Sequence, residues 1–296
     1  MAKFRTNHAQ GSRGSGGMIV RVGLFGAIVG GLYALFQFFG GESTDTPPVD
    51  PYSAEAYFLP KVPRGAELIE HRGFALAYDE EAEQALWVAN ILTRDNLSKD
   101  WYDRQDNFRP DPAVSTGSAT PDDYRGSGYD RGHLVPAADL AFDSVALSES
   151  FYMSNISPQA RNFNKGIWRE LEELTRDWAK RCQRLYVVTG PVLTETPKGY
   201  IGENEVAIPV AYYKVLLDLD EPEQKAIAFL IPNQVSFEPL YEFATSVDEV
   251  EEVTGLDFFP ELMPGDLEDQ LEASFNLDLW EFSKQKFDQR INEWNQ

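Results

Sequence analysis

Short apolar runs separated by Gly, Pro and acidic residues recur along the middle of the chain. Such runs, rich in Val, Ile, Leu, Tyr and Phe and bounded by turn residues, are typical of β-strands. We expect strands at 74–78, 86–92, 185–189, 206–210, 212–219 and 226–231. The acidic segment between the first two runs predicts a turn that joins them.

Apolar residues at helical spacing lie between these groups of strands. One helix is predicted over about 165–180, where the apolar positions are Ile167, Trp168, Leu171, Leu174 and Trp178. Ser246 and Glu249 form a capping-box pattern that opens a short helix, and Gly255 can close it.

The C-terminal residues 265–296 predict a helical extension docked on the body of the protein. Its apolar residues at helical spacing are Trp280, Phe287, Ile291 and Trp294. The polar stretch 99–128 predicts a long loop, and long loops in compact domains are usually functional or disordered. Because strands and helices are segregated rather than strictly alternating, the predicted fold class is α+β, with a mainly antiparallel sheet core and flanking helices.

The first 41 residues have a different pattern. Residues 18–41 are apolar, and the stretch from Val22 to Gly41 has no charge and spans about 30 Å as a helix, enough to cross a bilayer. Basic residues precede this stretch and the first acidic residues follow it, which places the basic tail 1–17 in the cytoplasm and the rest outside. We expect an uncleaved transmembrane signal anchor; the alternatives are a cleaved signal or a mitochondrial presequence with a membrane stop. Residues 42–63, with five prolines, predict a linker.

Charge and cysteine content exclude some classes of protein. The net charge is −22, and all 48 acidic residues follow residue 41. This balance argues against a basic DNA-coating protein, although an enzyme with a local basic cleft stays open. The single cysteine, Cys182, excludes an intrachain disulfide framework and a cysteine zinc cluster. We expect Cys182 to be inert and His71, in a polar segment, to be structural or exposed.

The segment 124–136 carries the first candidate chemistry. Arg131 and His133 are two residues apart, so in an extended chain they project to one face, where a cation and a titratable base lie side by side. Arg131 can bind a phosphate and His133 can take a proton from water. Asp130 would point the other way and anchor the backbone. The alternative is a buried structural Asp–Arg pair with a satisfied histidine.

The segment 151–176 carries the second group of candidate catalytic residues. On a helical wheel, Asn164 lies close to the centre of the apolar face, and an inward-facing amide needs a partner such as Mg²⁺. Glu172 lies two turns further on, within reach of metal-bound waters, and Arg176 lies at the edge of the same side. The alternative is an ordinary amphipathic helix with polar edges.

Together these segments resemble a known family. The motifs are D-R-G-H at 130–133, S-N-I-S-P-Q at 154–159 and N-x-x-x-W-x-x-x-E at 164–172. In this order and spacing they are similar to the DNA/RNA non-specific endonucleases with a beta-beta-alpha-metal site, the endonuclease G-like family. The likeness covers about residues 66–262, which suggests a nuclease domain at 64–264.

The resemblance implies a role for each matching residue. His133 would be the general base that activates a water, and Asn164 the only direct protein ligand of Mg²⁺, with Mn²⁺ as a substitute. Glu172 would orient metal-bound waters. Asn155 and Arg131 would help to hold the site and the phosphate, and Arg176 would stabilise charge on the scissile phosphate.

The predicted function is therefore a membrane-anchored, Mg²⁺-dependent endonuclease that hydrolyses DNA and RNA through backbone contacts. Its partners would be the nucleic-acid backbone, the membrane through residues 18–41 and, by family likeness, a second copy in a homodimer. It would lie in the cytoplasmic or mitochondrial inner membrane with its catalytic domain outside. The alternatives are a phosphodiesterase for smaller diesters and a non-catalytic membrane-tethered scaffold of the same fold.

Overall fold

The computed structural model describes residues 58–296. The predicted basic tail, the anchor at 18–41 and most of the linker lie outside these residues. Among residues 58–296, no helix combines the length and apolar character needed to cross a bilayer.

A seven-stranded antiparallel sheet forms the centre of the described residues. In chain order the strands are β1 (Glu67–His71), β2 (Phe74–Asp79), β3 (Gln84–Thr93), β4 (Tyr129–His133), β5 (Ile156–Ala160), β6 (Arg184–Pro191), β7 (Tyr200–Ile201), β8 (Val206–Ala207), β9 (Ala211–Asp218), β10 (Lys225–Pro232) and β11 (Ala244–Thr245). The large sheet has the order β1-β2-β3-β6-β9-β10-β11, while β4 pairs with β5 and β7 with β8. The predicted mainly antiparallel sheet is confirmed.

Six α-helices lie in the described residues. They are α1 (Arg94–Leu97), α2 (Ser144–Glu149), α3 (Arg169–Arg181), α4 (Val247–Thr254), α5 (Gly265–Glu272) and α6 (Lys284–Gln289). The predicted cap of α4 is confirmed: the Ser246 side chain accepts a hydrogen bond from the backbone N–H of Glu249, and Gly255 ends the helix at φ 69°. That left-handed conformation favours glycine because it has no Cβ.

The sheet is covered on both faces, which explains why its strands are continuous apolar runs. Along β2, Phe74 and Leu76 point into the core that contains α3, whereas Ala75 and Ala77 point into the core beneath α4 and α5. Successive side chains of a strand point to opposite faces, so a sheet buried on both sides needs an apolar residue at every position. Residues 58–296 therefore form three layers: α3 on one face, the sheet, and α4 with α5 on the other.

The predicted continuous helix over 165–180 is wrong at its start. A π-helical segment, Phe163–Trp168, precedes α3, and Gly166 interrupts it with φ −100° and ψ −109°. The helical wheel assumes a constant rotation of about 100° per residue, so its placement of Asn164 against Glu172 does not hold across this break.

The other differences lie at strand ends and in the tail. The predicted strand 206–210 ends at Ala207, and β1, β4 and β5 were not predicted. Trp280 was expected in the same helix as Trp294 but lies before α6. It is buried against Trp178 of α3, with ring centroids 5.2 Å apart. The stretch between α1 and β4 contains no helix or strand, as predicted for this loop.

Candidate active site

The pairing of β4 with β5 fixes the position of the D-R-G-H segment. In the register, Asp130 lies opposite Gln159 and Gly132 opposite Ser157. A Cβ on Gly132 would lie 2.1 Å from Cδ of Gln159. Any larger residue at 132 would therefore have to displace the buried Gln159 side chain of the neighbouring strand.

Arg131 and His133 share one aromatic neighbour. The Arg131 guanidinium lies 4.2 Å from the centroid of the Phe108 ring, and the His133 ring lies 5.5 Å from it. The two side chains thus lie on the same side of β4, as predicted. Phe108 comes from the long loop, which places this loop over the histidine.

His133 lies in a largely apolar pocket. Its exposure is 9%, its ring meets Phe151 edge-on at 5.0 Å, and within residues 58–296 its Nε2 has no hydrogen-bond partner. Burial lowers the pKa of His133 to about 3, with further lowering from the positive charges of Arg104 and Arg131. The imidazole is therefore neutral at pH 7, and a neutral imidazole can accept a proton.

Asn164 and Arg131 line one open cavity of about 500 Å³. The Asn164 Nδ2 donates a hydrogen bond to Oδ2 of Asp130 at 3.1 Å. Asp130 thus anchors the side chain of Asn164. The expectation that it would anchor the backbone is wrong. The contact orients the amide, and within the described residues its Oδ1 takes part in no hydrogen bond. An amide oxygen beside a carboxylate in a polar cavity fits a hard divalent cation, which prefers oxygen ligands.

Glu172 lies in a cluster of positive and negative side chains on the face of the sheet that α3 covers. Arg176 forms an ion pair with Asp139, Nη1 to Oδ1 2.8 Å. Lys214, only 1% exposed, donates a hydrogen bond to Oγ1 of Thr189 at 2.6 Å. Burial raises the pKa of Glu172 to about 7, while Arg176 and Lys214 oppose a further rise. Two cations thus offset two carboxylates here.

Asn155 is engaged entirely with the backbone. Its Oδ1 accepts from the N–H of Val135 at 2.9 Å, and its Nδ2 donates to the carbonyls of Val135 at 3.0 Å and Ser150 at 2.9 Å. The backbone N–H of Leu134 also donates to the Asn155 carbonyl, at 3.0 Å. Asn155 therefore holds the chain that directly follows His133.

Four neighbours of the site were not predicted: Arg104, Phe108, Asp139 and Lys214. Lys214 had a visible signal, because it is a lone cation within the apolar run 212–219. Asp139 and the loop residues had none, since the loop's approach to His133 depends on tertiary contacts. Arg109 makes one of these contacts, with its guanidinium 4.0 Å from the Tyr152 ring centroid.

The C-terminal segment packs against the chain that carries Asn164. Arg290 forms a buried ion pair with Glu170 of α3, Nε to Oε2 2.7 Å. A Cβ on Gly166 would lie 2.4 Å from Oδ1 of Asn295. Arg169 lies over the Trp294 ring, 4.1 Å from its centroid. The last residues of the chain thus support the π-helical segment from its outer side.

The other two residues singled out in the sequence are structural. Nε2 of His71 pairs with Oδ2 of the buried Asp111 at 2.8 Å. The Cys182 thiol donates to Oδ2 of Asp218 at 2.8 Å. Burial, reinforced by Asp218, raises the pKa of this thiol to about 12, so it is un-ionised at neutral pH.

Comparison with known proteins extends this geometry. The sequence model of the DNA/RNA non-specific endonuclease matches residues 57–264. The mitochondrial nuclease EXOG of Mus musculus is 36% identical over 265 residues, covering 81% of this chain and 72% of the relative. The mitochondrial endonuclease G of Homo sapiens is 35% identical over 215 residues, covering 68% of this chain and 72% of the relative.

The fold agrees with a solved structure. A chain in the crystal structure of the EndoG/EndoGI complex has a TM-score of 0.60 and 30% identity, covering 66% of this chain and 86% of that chain. The fold and site, with these relatives, define a nuclease, a hydrolase of phosphodiester bonds. The chain belongs to the DNA/RNA non-specific endonuclease family.

Proposed function

We propose that this nuclease cleaves DNA and RNA with a Mg²⁺ ion held at Asn164 and a water activated by His133. The observation that carries the proposal is that Phe108, which lines the cavity shared by Arg131 and Asn164, packs directly against the neutral His133. The nucleases of this family depend on a metal ion. Mn²⁺ is the expected substitute for Mg²⁺.

The chain's own groups divide the work. His133 accepts a proton from the water that attacks phosphorus, and the 3′ oxygen leaves. Arg131 binds the phosphate with a bidentate fork, and Arg176 supplies fixed positive charge where negative charge develops. Asn155 positions the chain that follows His133.

Asn164 and Glu172 would hold the metal ion, Asn164 directly through Oδ1 and Glu172 through water. When bound, the ion neutralises charge on the phosphate and on the leaving oxygen. Glu172 must be ionised to accept hydrogen bonds from metal-bound waters. Its pKa near 7 makes this step sensitive to the local cations.

The test uses the full chain in detergent micelles, with supercoiled plasmid and with RNA. We expect cleavage of both in Mg²⁺, none in EDTA, and a loss of roughly 10²–10⁴-fold in His133→Ala and a comparable loss in Asn164→Ala. Cys182→Ser is the matched control, since the thiol lies outside the site. Full activity in His133→Ala, with the fold intact by circular dichroism, would overturn the mechanism.

A membrane anchor at residues 18–41 forms the second part of the proposal. It is supported by the uncharged stretch and by the charge asymmetry around it. The similar EXOG and endonuclease G chains carry mitochondrial names, which supports the mitochondrial inner membrane; the cytoplasmic membrane is the alternative. We expect the chain to stay with membranes after alkaline washing and a chain without residues 1–41 to be released. Protection of the catalytic domain from protease added outside would contradict the proposed topology.

The domain boundaries and a homodimer complete the proposed function. We assign residues 42–63 to a linker, 64–264 to the nuclease domain and 265–296 to a C-terminal helical extension. Light scattering of the purified chain should give the mass of two copies. A monomer at all concentrations would remove the dimer and leave the catalytic proposal intact.

A smaller phosphodiester is the second candidate substrate, and one observation favours it. Phe108 of the long loop covers the buried His133, so a bulky duplex must displace this loop before the imidazole meets the phosphate. Faster cleavage of a small aryl phosphodiester than of plasmid would support this candidate. A non-catalytic scaffold would cleave neither.

A further inference from the structure

A second group of carboxylates lies on the opposite face of the sheet, at the contact between α4 and α5. Asp248 and Glu251 are three residues apart on α4 and share one side of the helix. Glu272 is the last residue of α5. One oxygen from each of the three carboxylates lies within 4.8 Å of the other two.

Glu272 is the member that an ordinary acidic surface does not explain. It is 5% exposed, and within residues 58–296 its Oε1 has no hydrogen-bond partner although it is buried. A buried carboxylate is normally paired with a cation or fully hydrogen-bonded, because removing its charge from water is costly. Glu272 instead lies beside two further carboxylates.

The surroundings add negative charge rather than offset it. Glu268 and Asp257 also act on Glu272, and burial together with these four acidic neighbours raises its pKa to about 9. Lys61, whose charge acts on Glu251 and Glu268, is exposed and pairs with Asp257 at the edge of the group. No other cation of the described residues forms an ion pair with a member of the group.

We propose that Asp248, Glu251 and Glu272 form a divalent-cation site, separate from the catalytic centre, that takes Ca²⁺. An ion with oxygen ligands at about 2.3–2.6 Å can join oxygens up to about 5 Å apart, so three oxygens that all lie within 4.8 Å of one another can share one Ca²⁺. Mg²⁺, with ligands at about 2.0–2.1 Å, demands near-octahedral geometry and keeps several waters. Ca²⁺ accepts irregular geometry, which suits carboxylates supplied by two separate helices.

The local packing sets the three ligands in place. Val247 and Val250 of α4 and Leu271 of α5 are buried in one apolar core. Oε1 of Glu251 accepts a hydrogen bond from the backbone N–H of Phe258 at 2.7 Å, which leaves its second oxygen for the ion. A bound Ca²⁺ would tie the first helix of the C-terminal extension to the nuclease domain.

The test measures Ca²⁺ binding directly, by isothermal titration calorimetry of the full chain in detergent. The Asn164→Ala background removes heat from the catalytic centre. We expect saturable binding of one Ca²⁺ and, at about 100 times the dissociation constant, a rise in Tm of roughly 5–10 °C. Mg²⁺ at the same concentration should give a much smaller rise.

Three variants test whether the ion binds at these carboxylates. Glu272→Gln should abolish both the binding heat and the Tm shift, and Asp248→Asn, at an exposed position that cannot disturb the core, should weaken the affinity at least tenfold. Glu252→Gln, next to Glu251 on the exposed side of α4, should bind as the parent does. Cleavage of plasmid in Mg²⁺ by Glu272→Gln, made without the Asn164 change, should equal that of the wild type.

Three results would overturn the proposal. They are the absence of saturable Ca²⁺ binding, unchanged binding in both Glu272→Gln and Asp248→Asn, and an equal Tm shift with Mg²⁺. If no ion binds and Glu272 instead takes up a proton at neutral pH, the group is a protonated carboxyl cluster. None of these results bears on the nuclease mechanism, which the plasmid assay tests separately.

Discussion

Two groups of carboxylates, each with one buried member, lie on opposite faces of one sheet, and the chain treats them differently. Near the catalytic cavity, Asp139 and Glu172 face the cations of Arg176 and Lys214. Between α4 and α5, the one ion pair that Glu272 and its acidic neighbours make within residues 58–296 is that of Asp257 with the exposed Lys61 at their edge. The first group keeps Glu172 close to ionisation at neutral pH. The second holds its buried carboxyl protonated unless a cation enters.

The difference shows that burial alone does not set the state of a carboxylate. Burial raises the pKa of both Glu172 and Glu272. Neighbouring cations then lower the pKa of Glu172, whereas neighbouring carboxylates raise the pKa of Glu272 further. Glu170 is a third case, with a single arginine partner at 2.7 Å. Changing one neighbour at a time therefore separates the effect of burial from the effect of charge.

The largest expected effect comes from breaking the simplest pair. Arg290→Met leaves Glu170 buried without its ion-pair partner, which should lower the free energy of unfolding by about 3–5 kcal/mol. Nuclease activity should also fall, because Arg290 supports the segment that carries Asn164. Urea unfolding and plasmid cleavage measure the two effects. Lys180→Met, which removes an exposed cation from α3, is the control and should change stability by less than about 1 kcal/mol.

The second-largest expected effect is the pH dependence of stability that Glu272 causes when no Ca²⁺ is bound. The pKa of Glu272 is higher in the folded chain than in the unfolded one, so stability is full below pH 4.5 and is lost as the pH rises towards about 9. At pH 7 the loss should be roughly 3 kcal/mol. Glu272→Gln should remove this component of the pH slope. The same slope in both proteins, measured by urea unfolding in EDTA, would rule out Glu272 as its source.

A third, smaller effect should appear at the catalytic group. Lys214→Met removes a cation that favours ionised Glu172, so the pKa of Glu172 should rise further above 7 and activity at pH 7 should fall about tenfold. The loss of Lys214 also leaves Glu172 and Asp139 with one cation fewer, so stability should fall as well. Activity should recover at higher pH in this variant. A uniform loss at every pH would instead indicate that Lys214 has a purely structural role. The exposed Lys180→Met serves as control.

The smallest effect should come from supplying the missing cation. Asp248→Lys puts a positive charge beside Glu251 and Glu272, which should raise stability in EDTA by about 1 kcal/mol and abolish the response to Ca²⁺. Glu252→Lys makes the same charge change on the exposed side of α4 and should keep the Ca²⁺ response. Equal behaviour of the two variants would show that net charge, rather than the group, sets the stability.

Strong local signals carried most of the successful predictions. The apolar runs of β2, β3, β6, β9 and β10 and the cap at Ser246 were predictable because each depends on neighbours in the sequence. The π-helical segment that precedes α3 was not predictable in this way. The break at Gly166 accompanies close contact with Asn295, more than a hundred residues away in the chain.

The same distinction holds at the site. The residue types at Arg131, His133, Asn164 and Glu172 were visible as motifs, and their roles stay proposals. The contact of Asp130 with Asn164 and the cover of His133 by Phe108 were not visible. Both join segments that lie far apart in sequence, and no periodicity reports such a pairing.

The sequence by itself determined the nuclease motifs, the acidic balance and the apolar runs that form the strands of the antiparallel sheet, because these are properties of residue type and spacing. Only the tertiary structure decided which carboxylates meet a cation. Glu172 and Glu272 are both acidic residues in helices beside apolar positions, and nothing local separates them. The sheet places Lys214 on the face of α3 and leaves the face of α4 and α5 without a buried cation among the described residues. Charge interactions act over several ångströms through space, so their sign at a site depends on the fold.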